Sequence, residues 1–387
     1  MRPARRLDAL PAYPVADLPA IKRDLRAKGV DVIDLGAGDA DLSPPPAAVE
    51  ALQRAAEDPA NSRYAFQLGL PAYREEIVRW MGGRFGVTLD PYSEILPLIG
   101  TKEGIFHLPF AVLDPGEVTL VPDPGYAPYL GGTAMSGAEP HMLPLLEQNG
   151  FLADLDSIPE GAARRARVLY LNYPNNPTAA IAPRAYLEEA VRFCHEREIV
   201  LAFDNAYSEI AFDGYTPPSI LEIDGAREVA VEFHSLSKTY NMTGWRVGWA
   251  AGSAEVITAL ARVKTFADTG VPFTIQHAAT AALRAHDSWF PENRETFRRR
   301  RDAAVSALTQ GGYQVSAPRA TMYLWVPVPA GAGTSAEFTR RLLLEEGVAV
   351  LSGDALGASG DGFVRVALTS SEERLAEAAR RMARLLE

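Results

Sequence analysis

The chain is expected to fold as an α/β protein with a mostly parallel, doubly wound sheet, followed by a smaller α+β region. Two observations carry this expectation. From about residue 94 to 252, short apolar β-branched runs alternate with helical patterns, and that order needs crossover connections and hence parallel strands. At 387 residues the chain also exceeds what one simple core holds, so two domains are expected, one able to interrupt the other.

Val15 to Lys28 has helical spacing through Leu18, Ile21 and Leu25, after an arm without period from Met1 to Pro14. Asp31 to Leu35 reads as a strand running into the Gly- and Pro-rich stretch Gly36 to Pro46, a domain boundary whose glycines allow close approach to a ligand. Helices are expected at Ala47 to Ala56 and, with Pro71 in the first turn, from there to about Arg84, separated by the loop Asn61 to Gly69 containing Tyr64. Glu94 to Ile99, Val118 to Val121, Val168 to Leu171, Ile199 to Phe203, Val229 to Phe233 and Val247 to Ala251 read as buried strands. Helices lie between or after them at about 101–112, 185–197, 254–266 and 274–284. A charged helix from about Glu292 to Leu308 begins the terminal region, where strands Met322 to Val326 and Gly362 to Ala367 are covered by helices 335–346 and 372–386.

Composition narrows the function. With 47% hydrophobic and 22% charged residues the chain has the make-up of a soluble globular protein, and its formal charge of −11 argues against a nucleic-acid or anionic-membrane partner while permitting a local basic pocket. Cys194 is the only cysteine, which excludes an intrachain disulfide framework and a cysteine metal cluster; its helical, apolar setting makes it a core filler. Asp39 and Asp41 lack the further ligands of a metal site, so none is expected. Arg2, Arg5 and Arg6 are followed by no apolar run of signal length, and no stretch reaches about 20 apolar residues, so the expected location is cytoplasmic.

The chemistry concentrates in Ser235-Leu236-Ser237-Lys238, continuing to Arg246 between two strands. A lysine beside a buried sheet edge can lose its proton and form a Schiff base with a carbonyl, and an arginine with serines nearby suits a phosphate. That pairing is what pyridoxal 5′-phosphate (PLP) requires. Other strand ends supply the rest: Gly100-Thr101-Lys102 opens a helix whose amides and dipole face an anion, and Tyr126 offers a ring for stacking. Asn176 sits in a Pro-bounded loop with amide donors, and Asp204 ends an apolar strand, where a cationic pyridine nitrogen would offset its burial. Tyr207 follows within reach of the ring's phenolic oxygen. In a doubly wound sheet all these positions fall at the ligand-binding ends of the strands. Arg365 interrupts an apolar strand, as either a buried salt bridge or a clamp for a substrate carboxylate.

These residues resemble the class I/II aminotransferases of PLP fold type I, from about Leu18 to the C-terminus. The resemblance implies Lys238 as Schiff-base lysine and proton shuttle, Asp204 as partner of the ring nitrogen, and Tyr207 and Asn176 as donors to its oxygen. It also implies Tyr126 as stacking ring, Thr101, Lys102, Ser235 and Arg246 around the phosphate, and Arg365 with Gly38 at the α-carboxylate. Tyr64 matches a tyrosine lent by a second subunit, and a homodimer with shared active sites follows. So does a small domain made from both chain ends: 1–43 as arm and part of the small domain, 44–285 as the large domain and 286–387 as the remainder of the small one.

Gly100 to Gly104, Pro122 to Tyr126, Asp204 to Glu209 and Phe233 to Gly244 are most similar to bacterial LL-diaminopimelate aminotransferases. The implied reaction is ping-pong transamination between an L-amino acid, best LL-diaminopimelate or a relative, and a 2-oxo acid such as 2-oxoglutarate. Aspartate, alanine, 2-aminoadipate, N-succinyl-diaminopimelate and aromatic donors stay open, as do a β-elimination lyase on the same fold and a PLP-binding regulatory module. Two departures stand out: Ala179 replaces the family's usual glycine, and Gln67-Leu68 brings no acid to the loop after Tyr64.

Overall fold

The computed structural model describes residues 2–10, 18–66 and 68–386. Twelve strands are present among them: β1 (Ile33–Asp34), β2 (Ile95–Leu98), β3 (Val118–Asp123), β4 (Glu139–Pro144), β5 (Ala166–Leu171), β6 (Val200–Asp204), β7 (Ala230–Ser235), β8 (Gly248–Gly252), β9 (Tyr323–Pro327), β10 (Val348–Ala349), β11 (Leu351–Ser352) and β12 (Phe363–Ala367). Seven form the larger sheet in the order β2-β8-β7-β6-β5-β3-β4. The run from β7 to β4 is parallel throughout, and only β8 lies antiparallel to both of its neighbours.

Helices cover both faces, which is why the central strands read as unbroken apolar runs. Val231 and Phe233 point to one side, where Ile105, Leu108 and Leu260 close the core. Leu201 and Phe203 point to the other, against Leu187, Val191 and Cys194. Burial also pushes the Cys194 thiol above its usual range, in keeping with a packing role.

The smaller region contains the antiparallel sheet β11-β12-β9, and β1 pairs in parallel with β10, so the segment around β1 packs against the C-terminal part of the chain. Leu35 shares a core with Phe338, Val350 and Val364. The helix expected from Glu292 begins at His286 and carries Pro291 inside it. The strand β4 and the helix Ala127–Ser136 have no counterpart in the sequence reading. In β4, Glu-Pro-His-Met-Leu-Pro lacks an alternating pattern and holds two prolines, which only an edge strand tolerates. Residues 11–17 and Gln67 lie outside the described residues, so the start of the first expected helix and part of the Gln67-Leu68 departure do too; the helix is described from Leu18 to Ala27.

The turn after β6 is anchored by a buried ion cluster. Arg84 Nε donates to both Glu209 oxygens at 3.1 Å, and His286 Nε2 lies 3.4 Å from Glu209 Oε2. Burial alone would raise the Glu209 carboxyl, but His286 and Arg84 hold it down to about 2 from an ordinary value near 4.5. The stabilisation is therefore complete above pH 4.5 and is lost as pH falls toward about 2. We expect Glu209→Gln to cost about 3 kcal/mol at pH 7, because Arg84 keeps its charge without a partner, and to flatten this part of the acid-unfolding profile. A denaturant midpoint equal to that of the wild type would refute the cluster's role.

Candidate active site

A cavity of about 480 Å³ lies where the C-terminal ends of the parallel strands meet β12 and the segment after β1. The segment after β1 contributes Gly38, and the helix Thr101–Val112 contributes Thr101 and Lys102. Tyr126 enters after β3 and Asn176 after β5, while Asp204 ends β6 with Tyr207 just beyond. Ser235 ends β7, Lys238 lies in the helical turn Leu236–Thr239, Arg246 precedes β8, and Arg365 comes from β12. Tyr64 does not reach this cavity; it is 72% exposed, beside Phe66 at 61%.

Asp204 is buried, and its Oδ2 accepts from Tyr129 Oη at 2.8 Å while its Oδ1 has no partner. Burial raises its carboxyl to about 6, against the opposing pull of Tyr129, the Ala206 amide and His234. The strand end is held in place by Asn172, whose Nδ2 donates to Asp204 O at 2.6 Å and whose Oδ1 accepts from Asn176 N at 2.7 Å.

Arg365 is buried and has no carboxylate partner among the described residues. Its Nη1 donates to Asn176 Oδ1 and its Nη2 to Gly36 O, both at 2.8 Å, while Nε is unpaired. The guanidinium lies over the Tyr323 ring, 4.3 Å from its centroid. A buried cation held only by neutral oxygens and a ring face retains an unmet demand for an anion. Lys238 Nζ donates to Gly38 O, and Lys22, which lines the same cavity, is already paired with Asp34 at 2.5 Å.

Opposite these groups is an anion cradle. Gly100 has φ +70°, and a Cβ there would overlap the Arg246 guanidinium, so only glycine lets that group settle over the start of the helix. Arg246 itself adopts φ +55° and is fixed by Nη1 donating to Thr243 O at 2.8 Å. Ser235 Oγ caps the turn bearing Lys238 by accepting from Ser237 N at 3.1 Å.

Sequence reasoning did not single out Tyr129 or Tyr323. Tyr129 lies three residues past Tyr126, on the next turn of the helix Ala127–Ser136, and Tyr323 reads as one of several apolar residues in a strand. The only signal in the sequence was that a buried phenol needs a hydrogen-bond partner. Ala179 adopts φ +58°, a region that costs a non-glycine residue about 1 kcal/mol; glycine at this loop position would avoid that strain.

These observations fit PLP. The unpartnered Asp204 Oδ1 suits a protonated ring nitrogen, the Arg246 and Ser235 cradle at a helix N-terminus suits a phosphate, and Lys238 is an amine placed for a carbonyl. The profile of the family "Aminotransferase class I and II" matches residues 30–382. The LL-diaminopimelate aminotransferase of Desulforudis audaxviator strain MP104C is 49% identical over 379 residues, covering 98% of this chain and 96% of the relative. Among solved structures, substrate-bound BacF from Bacillus subtilis has a TM-score of 0.94 and 34% identity, covering 100% of this chain and 98% of that one. A probable N-succinyldiaminopimelate aminotransferase from Thermus thermophilus has a TM-score of 0.91 and 40% identity, covering 96% of this chain and 100% of that one. The chain thus belongs to the class I and II aminotransferases, PLP-dependent enzymes that move an amino group between amino acids and 2-oxo acids.

Proposed function

We propose that this enzyme transfers the amino group of LL-diaminopimelate, or a closely related amino acid, to 2-oxoglutarate. The observation that carries the reaction type is one cavity holding a carboxylate oxygen without a donor, a buried guanidinium without an acid, and a lysine amine near both. The donor assignment rests on relatives of that name, 44% to 49% identical over nearly the whole chain. A second cavity of about 810 Å³ shares Lys102, Tyr126 and Leu356 with the first and has room for a long side chain.

In this reading Arg365 binds the substrate α-carboxylate with the guanidinium donors not used by Asn176 and Gly36, and the Gly38 segment closes the same side. PLP, when bound, supplies an electrophilic carbonyl and a cationic ring that accepts electrons from the substrate Cα. Asp204 Oδ1 would keep the ring-nitrogen proton in place, and Tyr207 Oη and Asn176 Nδ2 would donate to the ring oxygen. Tyr126 stacks on the ring. Thr101, Lys102, Ser235 and Arg246 hold the phosphate. Lys238 Nζ would hold the cofactor's carbonyl and would take the substrate Cα proton and return it.

Tyr64, Phe66 and Leu68 form an exposed apolar loop, at 72%, 61% and 51% exposure, which supports a homodimer in which Tyr64 reaches the other subunit's phosphate. Sedimentation at twice the 41.9 kDa chain mass is expected; a fully active monomer would remove Tyr64 from the site. The division into 1–43 with 286–387 and 44–285 belongs to the same proposal and is supported by the pairing of β1 with β10. Hydrogen exchange should show residues 1–43 exchanging together with the C-terminal unit rather than with the large sheet.

The deciding experiment is a single-turnover titration of PLP-loaded protein with LL-diaminopimelate, aspartate, glutamate, alanine, 2-aminoadipate and aromatic amino acids, following the visible absorbance. Fastest conversion by LL-diaminopimelate is expected. A different preferred donor would keep the reaction and replace the substrate. Pyruvate and ammonia formed without a 2-oxo acid would mean a lyase.

A further inference from the structure

Tyr323 is 2% exposed in β9, yet its hydroxyl opens into the cavity among the groups assigned above. Its Oη lies 3.2 Å from Tyr207 Oη. It packs so tightly over Gly38 that a Cβ there would overlap the hydroxyl, and the Gly38 carbonyl is the one bonded to Lys238. Arg365 stacks on its ring because Tyr323 pairs with Ala367 across the sheet, placing Arg365 on the diagonal of the same face. One phenol thus touches the ring-oxygen donor and the carboxylate clamp, and borders the carbonyl that holds the lysine.

We propose that Tyr323 is a positioning residue for the reaction: it donates to the Tyr207 hydroxyl and supports the Arg365 guanidinium, and so sets how strongly Tyr207 donates to the cofactor. This rests on the transaminase reading given above. Four charged or titratable groups face Tyr323: Tyr207 from the turn after β6, Lys238 from the turn after β7, Arg365 from β12, and Asp39 from the segment after β1. Burial would raise the Tyr323 phenol, but Arg365, Lys238 and the Tyr207 hydrogen bond together bring it below its ordinary value, while Tyr207 is pushed well above its own by burial and by Tyr323. The Tyr323 phenol is therefore the more acidic of the two and the better donor, and Tyr207 the better acceptor. When a substrate carboxylate neutralises Arg365, Tyr323 becomes a weaker donor and Tyr207 in turn donates less strongly to the cofactor. β9 in this way passes carboxylate binding on to the ring.

Tyr323→Phe keeps the ring beneath Arg365 but removes the donor to Tyr207. We expect KM to stay within about twofold and kcat to fall about tenfold, the scale of one hydrogen bond lost in the transition state. The pH midpoint of the bound cofactor's visible absorbance should move up by about half a unit, because Tyr207 without its donor gives a weaker hydrogen bond to the ring oxygen and so favours the deprotonated form of the lysine-bound cofactor less. In a Tyr207→Phe background the same substitution should move the midpoint no further. Tyr323→Leu, which also removes the ring, should raise KM about tenfold in addition. An unmoved midpoint in Tyr323→Phe, or an equal shift with Tyr207 absent, overturns the proposal. Should Tyr323→Phe fail to fold, the Tyr207→Phe protein decides the matter by carboxylate titration: a non-reacting dicarboxylate that shifts its midpoint as much as it shifts that of the wild type overturns the proposal, and a smaller shift supports it. Wild-type protein that binds PLP but transaminates nothing would instead remove the underlying function.

Discussion

Lys238→Ala protein takes up PLP without the visible absorbance of the lysine-bound form and turns over at least about 10⁴-fold more slowly, the upper range for removal of a general base. The reason lies in the uniqueness of Nζ. Three lysines line the cavity, but Lys22 is neutralised by Asp34 and Lys102 stands in the anion cradle at the start of a helix. Only Lys238 sits beside Gly38, Tyr323 and the unpaired face of Arg365. Because its side chain makes a single hydrogen bond, to Gly38 O, the variant should fold with an unchanged melting midpoint. Near-normal turnover in single-turnover assays would sink the assignment of Lys238 and the mechanism with it.

Asp204→Asn should lower turnover about 10³-fold, the scale of removing one preorganised electrostatic partner, while making the cofactor-free protein more stable. The two effects share a cause. Burial raises the Asp204 carboxyl from 3.8 to about 6, so the folded state holds its proton more tightly than the unfolded chain does. Folding stability therefore declines as pH rises through that window, and the cost of about 3 kcal/mol is in full force at pH 7. Asparagine carries no charge to desolvate and still accepts from Tyr129. Denaturant unfolding of the cofactor-free proteins at pH 4 and pH 7 tests this: the wild type should weaken between them at Asp204's expense and the variant should not. Equal pH dependence would mean that Asp204 is not the strained group, and full turnover by the variant would deny it the ring nitrogen. With PLP bound, the ring cation would supply the missing partner under the proposed assignment, so the stability gap between the two proteins should narrow.

Much of this site was legible in chain order because a doubly wound sheet gathers its strand ends. Thr101, Tyr126, Asn176, Asp204 and Ser235 each follow an apolar run, and such runs end on one edge wherever helices connect parallel strands. Gly38 and Arg365 were legible for a different reason: a glycine-rich boundary and a charge inside an apolar strand are locally costly features that ask for an explanation. The edge strand β4 was not legible, since its prolines and exposed residues lack the alternation that identifies a strand. Neither were β10 and β11, at two residues each too short to form a pattern.

Chain order alone determined the fold class and the family that the spacing of Lys238 and Asp204 resembles, because those signals are local and repeat at the end of each strand. Tertiary structure alone supplied the surroundings of Arg365. A salt bridge and a carboxylate clamp look identical in sequence, and the packing of β12 against Asn176, Gly36 and Tyr323 leaves the guanidinium buried with no acid beside it among the described residues, which supports the proposed clamp. It also decided the place of Tyr323, whose contacts with Tyr207 and Gly38 span 116 and 285 residues of chain. Partners so far apart share no periodicity, and their meeting is set by how the smaller sheet docks on the ends of the larger one.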